Sequence, residues 1–162
     1  MARYDDILEL EPRHDGRGLR VGVVMSRFNI DVAEGLLGAC TEELRKHGVR
    51  SEDMLLVTVP GALEVPLALR KLASSGRFDT LIALGAVIRG ETYHFEIVAG
   101  ESARGLLALT LDGLAVGNGV LTVENEAQAI ARANPKHANK GGGAAEAALA
   151  LMALKEKLLP AA

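Results

Sequence analysis

An open α/β sheet with helices on both faces is the fold class that this sequence predicts, and three observations predict it. Four short runs rich in Val, Ile and Leu, at residues 19–25, 54–59, 80–88 and 115–123, are apolar at nearly every position. Strands covered on both faces read this way, whereas half-exposed strands alternate. Stretches of helical periodicity separate the runs, and crossovers of that length between parallel strands are right-handed. The chain has 162 residues, of which 49% are hydrophobic, enough for one core and one domain rather than two. The expectation is a three-layer α-β-α sandwich around an open four-stranded parallel sheet. One domain over 19–162 follows a tail of residues 1–18.

The tail ends in Arg13-His14-Asp15-Gly16-Arg17-Gly18, which is polar and glycine-containing and reads as mobile, or ordered only by a partner. After the first strand, residues 31–47 carry Val32, Leu36, Cys40, Leu44 and His47 at steps of three and four, with Gly48 where a helix would stop. A second helix is expected over 64–75, with Pro66 in its first turn and Gly76 closing it. Residues 94–111 place Phe95, Val98, Ser102, Leu106 and Leu109 on one stripe. A short helix over 125–133 follows the fourth strand. An Ala/Leu-rich helix over 144–159 ends the chain, and Asn139-Lys140-Gly141-Gly142-Gly143 reads as the loop before it.

Composition excludes several functions. The net charge of −3 leaves no electrostatic footprint for nucleic acid. No apolar run is long enough to cross a bilayer, and the first residues lack the apolar stretch of a secretion signal. The single Cys40 excludes an internal disulfide and falls among apolar residues at helical spacing, as a reduced, buried thiol of a cytoplasmic protein does. No set of His, Cys, Asp and Glu has metal-ligand spacing, so no metal is expected. Aromatic residues are only 3%: Tyr4, Phe28, Phe78, Tyr93 and Phe95.

Ligands of open parallel sheets bind outside the carboxyl ends of the strands. That rule selects Ser26-Arg27-Phe28-Asn29, Pro60-Gly61-Ala62-Leu63-Glu64, Arg89-Gly90-Glu91-Thr92-Tyr93-His94 and Glu124-Asn125. All four should share one edge. Phe28 is a large ring in a polar loop, either tucked against the first helix or a platform for a planar heterocycle. Small residues at 60–62 open the backbone to polar ligand atoms, though a tight turn explains the glycine equally well. Gly90 allows close backbone approach, Thr92 can cap the next helix, and the N–H groups of Glu91 and Thr92 suit an anion. A histidine beside such a cradle, His94, reads as a general acid/base. His14, His47 and His137 lie in the tail, at a helix end and in a polar loop. The spacing of Lys140 and its glycines is not that of a nucleotide triphosphate loop, and Gly117-Asn118-Gly119 lacks the third glycine of a dinucleotide fingerprint.

Read together, Ser26-Arg27-Phe28-Asn29, Pro60-Gly61-Ala62-Leu63-Glu64-Val65-Pro66, Gly85 through Phe95, Gly119-Val120-Leu121-Thr122 with Glu126-Ala127-Gln128-Ala129, and Asn139-Lys140-Gly141 resemble the lumazine synthase family. The resemblance runs from about residue 19 to 154, and its Arg-Gly-x-Thr-x-His-Phe segment is the most specific part. It implies flavodoxin-like winding and a transferase without cofactor. The implied reaction condenses 5-amino-6-(D-ribitylamino)uracil with 3,4-dihydroxy-2-butanone 4-phosphate to 6,7-dimethyl-8-ribityllumazine, the penultimate step of riboflavin synthesis. Phe28 would then stack on the pyrimidine, Ala62, Leu63 and Glu64 would hold the ribityl chain, and Ala86, Val87 and Ile88 would line the ring edge. Glu91 and Thr92, helped by Arg132, would take the phosphate, His94 would move protons, and Lys140 matches a family lysine near the site. The resemblance also implies a homopentamer with sites between subunits, Asn118 and Arg132 coming from the adjacent chain. A segment before the sheet can add a strand to a neighbour in such an assembly, and riboflavin synthase is an implied partner. Many members carry an aromatic at the place of Leu63, a Phe at that of Asn118 and a Glu at that of Gly143. Pro135 and Ala138 in the 134–138 loop favour a free pentamer over a 60-subunit shell. The competing reading is a non-catalytic flavin- or lumazine-binding paralogue, or one that only forms shells.

Overall fold

The computed structural model describes residues 6–158. Its elements are β1 (Val21–Ser26), α1 (Ile30–Lys46), β2 (Met54–Val59), α2 (Val65–Ser74), β3 (Thr80–Ile88), α3 (His94–Leu111), β4 (Val116–Val123), α4 (Glu126–Ala133) and α5 (Lys140–Lys157). Single 3₁₀ turns at Ser51–Asp53 and Ala62–Glu64 precede β2 and α2. The four strands form one parallel sheet in the order β2-β1-β3-β4. Strand order reverses between β1 and β3, which makes the crevice beyond their carboxyl ends the topological switch point.

Right-handed crossovers divide the helices between the faces. Val21, Val23 and Met25 of β1 point into a core shared with α1, α4 and α5, through Leu36, Leu44, Ala129, Ala145 and Leu149. Val24 points the other way, to Val65 and Leu69 of α2 and to Leu106 and Leu109 of α3. Every residue of β1 is buried, and β3 is buried as far as Val87. Double coverage holds only for these inner strands. The edge strand β2 leaves Leu56 exposed, and β4 exposes Asn118 and Thr122.

The Gly48 stop is as expected: its φ is +98°, and the N–H of Val49 reaches back to the Leu44 carbonyl at 3.0 Å. Residues 14–18, read as the end of the tail, are held against α1. The Gly16 N–H donates to the His47 carbonyl at 2.8 Å, and the His14 and His47 rings lie 5.5 Å apart. Residues 1–5, with Tyr4, and the last expected helical position, 159, lie outside the described residues.

The largest difference from the expected boundaries is at the start of the last helix, the others shifting by one or two residues. α5 begins at Lys140, so Gly141, Gly142 and Gly143 are its first turn rather than a loop. Two contacts outweigh the poor helix propensity of glycine. Asn139, in the left-handed region at φ 47°, caps the turn by accepting from the Gly142 N–H at 3.2 Å. A Cβ on Gly141 would stand 2.2 Å from the Leu36 carbonyl oxygen, so only glycine lets α5 approach α1 this closely.

Candidate active site

All four selected loops lie at the carboxyl edge, bound to one another. The Arg27 and Phe28 N–H groups donate to the carbonyls of Val59 and Pro60, at 2.8 and 3.1 Å. The Asn29 amide donates to the Ala86 carbonyl at 2.9 Å, and the Arg89 N–H to that of Val123 at 2.9 Å. Between these loops, at the switch point, lies a cavity of about 460 Å³. Sites for small ligands span roughly 300–1,000 Å³.

Phe28, Ala62, Leu63, Glu64, Ala86, Val87, Ile88, Thr92 and His94 all line this cavity. Phe28 is 72% exposed, so its ring is not tucked against α1. Its neighbour Asn29 adopts φ 59°, a conformation asparagine tolerates, and opens α1 while its side chain reaches across to β3. On the second wall the Glu64 carboxylate folds back to accept from the Gly61 N–H at 3.0 Å. That N–H is therefore not open to a ligand, as the small residues there suggested. On the third wall Thr92 and His94 border the glycine turn at Gly90. The Thr92 hydroxyl accepts from the His94 N–H at a long 3.4 Å, and α3 starts at His94 as expected.

Four expected site residues do not line the cavity of this chain. Glu91 is exposed within the turn that borders it. Asn118 stands midway along β4, opposite Ala83, and its side-chain oxygen accepts from the Val120 N–H at 2.9 Å. Arg132, on α4, donates to the Gln128 carbonyl at 3.1 Å, and Lys140 opens α5. Conversely, Asn29, Phe95 and Val98 line the cavity without having been assigned a part in it. Val98 follows His94 by one turn, the spacing that would have revealed it.

Sequence spacing also missed one cluster, far from the cavity. Glu43 and His47 of α1 meet Glu146 of α5, with potential ligand atoms all within 4.8 Å of one another. The His47 ring nitrogen lies 3.0 Å from Glu43. Burial works against the Glu43 charge, but hydrogen bonds from Glu146 and His47 and the Lys46 ammonium outweigh it and hold its carboxyl below the usual range. Cys40 is free and fully buried, and burial pushes its thiol up to about 12.

A parallel sheet with a ligand-sized cavity at its switch point, bordered by an exposed ring and a histidine, defines an α/β enzyme acting on small molecules. The family model described as 6,7-dimethyl-8-ribityllumazine synthase matches residues 18–156. Curated relatives carry the same description. One from Nitrosomonas europaea is 61% identical over 92% of this chain and 89% of its own length. One from Azoarcus sp. is 57% identical over 96% and 100%, and one from Nitrosospira multiformis 55% identical over 98% and 97%. The chain belongs to the 6,7-dimethyl-8-ribityllumazine synthase family, and the expected fold and transferase class stand with that membership. No helix among the described residues is long and apolar enough to cross a membrane.

Proposed function

We propose that this chain condenses 5-amino-6-(D-ribitylamino)uracil with 3,4-dihydroxy-2-butanone 4-phosphate, giving 6,7-dimethyl-8-ribityllumazine, phosphate and water. The observation that carries the proposal is the meeting of Phe28, the Gly61–Glu64 turn and the Gly90–His94 turn around one cavity. A flat pyrimidine needs a ring to stack on, its polyol chain needs backbone and carboxylate partners, and a phosphate needs N–H groups. Phe28 supplies the first, Ala62, Leu63 and Glu64 the second, and Glu91 and Thr92 the third. Ala86, Val87 and Ile88 form the apolar floor.

The chemistry needs proton movement at three points. The pyrimidine amine adds to the ketone and loses water to form an imine, phosphate leaves by elimination, and the ribityl nitrogen attacks the remaining carbonyl, which loses a second water as the second ring closes. His94 is the proton carrier, because it is the histidine on the cavity wall. Holding two substrates together supplies much of the remaining acceleration.

Asn118, Arg132 and Lys140 have parts in this reading only if a neighbouring copy completes the site, as in a homopentamer. Two features support that assembly: β4 leaves a sheet edge with Asn118 exposed, and Tyr93, just before α3, and Ile97, Leu107 and Leu111 of α3 are exposed. Arg132 would then add charge at the phosphate, and Lys140 would stand near it. The cytoplasm suits a free buried thiol, and riboflavin synthase, which consumes the product, is the partner in this reading.

The direct test mixes the purified chain with both substrates and follows lumazine absorbance and phosphate release. The two signals should rise together. No rate above the buffer blank overturns the proposal.

A further inference from the structure

Arg89 is the first residue beyond β3, and it lies outside the cavity lining. Its guanidinium is engaged on three sides. Nε donates to the Glu124 carboxylate, at the end of β4, at 2.6 Å. Nη1 donates to the carboxylate of Glu96, in the first turn of α3. The face of the cation rests on the Phe95 ring, 4.3 Å from its centroid, a cation–π contact that adds to the two ion pairs. The Glu96 partner holds the Arg89 charge on, and Arg89 in turn holds the Glu96 carboxyl below its usual range.

Two of the contacts bracket the anion turn. Arg89 begins the turn, and Phe95 and Glu96 lie just after its end, so the contacts clamp residues 90–94 from both sides. The contact with Glu124 reaches the neighbouring loop. There the Glu124 N–H donates to the Gln128 side chain at 2.8 Å, and the Gln128 carbonyl accepts from Arg132 at 3.1 Å. A continuous polar chain thus runs from the turn that carries Glu91, Thr92 and His94 to Arg132.

We propose that Arg89 is a positioning residue: it fixes the 90–94 turn so that its N–H groups meet the substrate phosphate, without touching phosphate itself. The two carboxylates and the ring occupy its guanidinium, so its charge is already matched within the protein. Lysine cannot replace it fully, since an ammonium lacks the planar fork that serves two carboxylates at once. This role presupposes the phosphate site proposed above.

The test compares the wild-type chain with Arg89→Gln, Arg89→Lys and Glu124→Gln. It reads calorimetric binding of inorganic phosphate, the KM of each substrate, kcat, and the unfolding midpoint. Loosening of a positioned group costs up to about a hundredfold. Arg89→Gln should therefore weaken phosphate binding and raise the KM of the phosphorylated ketone by about tenfold or more, with the pyrimidine KM changed less than about twofold. Arg89→Lys should recover part of the loss, and Glu124→Gln should move the same quantities in the same direction. A folded Arg89→Gln protein that binds phosphate like the wild type overturns the positioning role while leaving the site intact. Equal rises in both KM values also overturn it, as a merely structural effect. A wild-type chain that neither binds phosphate nor turns over overturns the phosphate site and this role with it.

Discussion

The side-chain amide of Asn29 donates to the main-chain carbonyl of Ala86 at 2.9 Å, bridging the loop after β1 to the end of β3 across the switch point. Asn29 does this from a left-handed backbone at φ 59°, directly after Phe28. The bridge sets the mouth of the cavity. Asn29→Ala should cost about 1–3 kcal/mol, from lost hydrogen bonding and left-handed strain. Asn29→Gly keeps the backbone conformation and should cost less. Denaturant unfolding of both variants checks the order; a greater loss in the glycine variant would contradict it.

Phe28 presents its ring to solvent at the cavity wall. Aromatic stacking on a heterocycle contributes roughly 1–3 kcal/mol. Phe28→Ala should weaken pyrimidine binding about tenfold or more, with unfolding stability changed by less than about 0.5 kcal/mol. Titration calorimetry with the pyrimidine substrate reads the change.

The first turn of α5 offers a matched pair. Gly141→Ala drives a methyl group into the Leu36 backbone, and overpacking of this kind costs about 1–3 kcal/mol or more. Gly143→Ala meets nothing within 4 Å and should gain about 0.5–1 kcal/mol from helix propensity. Thermal unfolding should move in opposite directions for the two. A destabilised Gly143→Ala protein would put a loop, not a helix, at that position.

Cys40 is neutral far above the usual thiol range, its value raised by burial from 9.0 to about 12. Thiol reagents should leave the native chain unmodified at pH 8 and label it once unfolded. The sign for stability follows from linkage: the raised value means that the unfolded state releases this proton first as pH rises. The contribution of Cys40 is thus whole below about pH 9 and is lost toward pH 12. Between those limits, Cys40→Ala should show a shallower fall in stability than the wild type. Equal slopes would contradict the assignment.

Much of this fold is legible in the sequence because two local signals agree with the tertiary structure. The unbroken apolar runs of β1 and β3 reflect helices on both faces, and Gly48 and Pro66 mark helix ends by their own backbone chemistry. Phe28, Thr92 and His94 are legible as residues of one cavity because parallel strands bring their carboxyl-terminal loops to one edge. Long-range contacts leave no such trace. The glycines after Lys140 read as a loop until Leu36 of α1 is seen beside them. Arg89 looks like any surface cation until Glu124, thirty-five residues on, closes over it, and Glu146 reveals its tie to Glu43 and His47 only once α5 packs on α1.

The measurement that tests the account most directly is the effect of His94→Ala on turnover and on pyrimidine binding in the same preparation. General acid–base catalysis contributes about 10²–10⁴-fold. The account predicts that lumazine formation falls by about a hundredfold or more, with the dissociation constant of the pyrimidine substrate within about twofold of wild type. Undiminished turnover, or a loss of binding as large as the loss of rate, would contradict it.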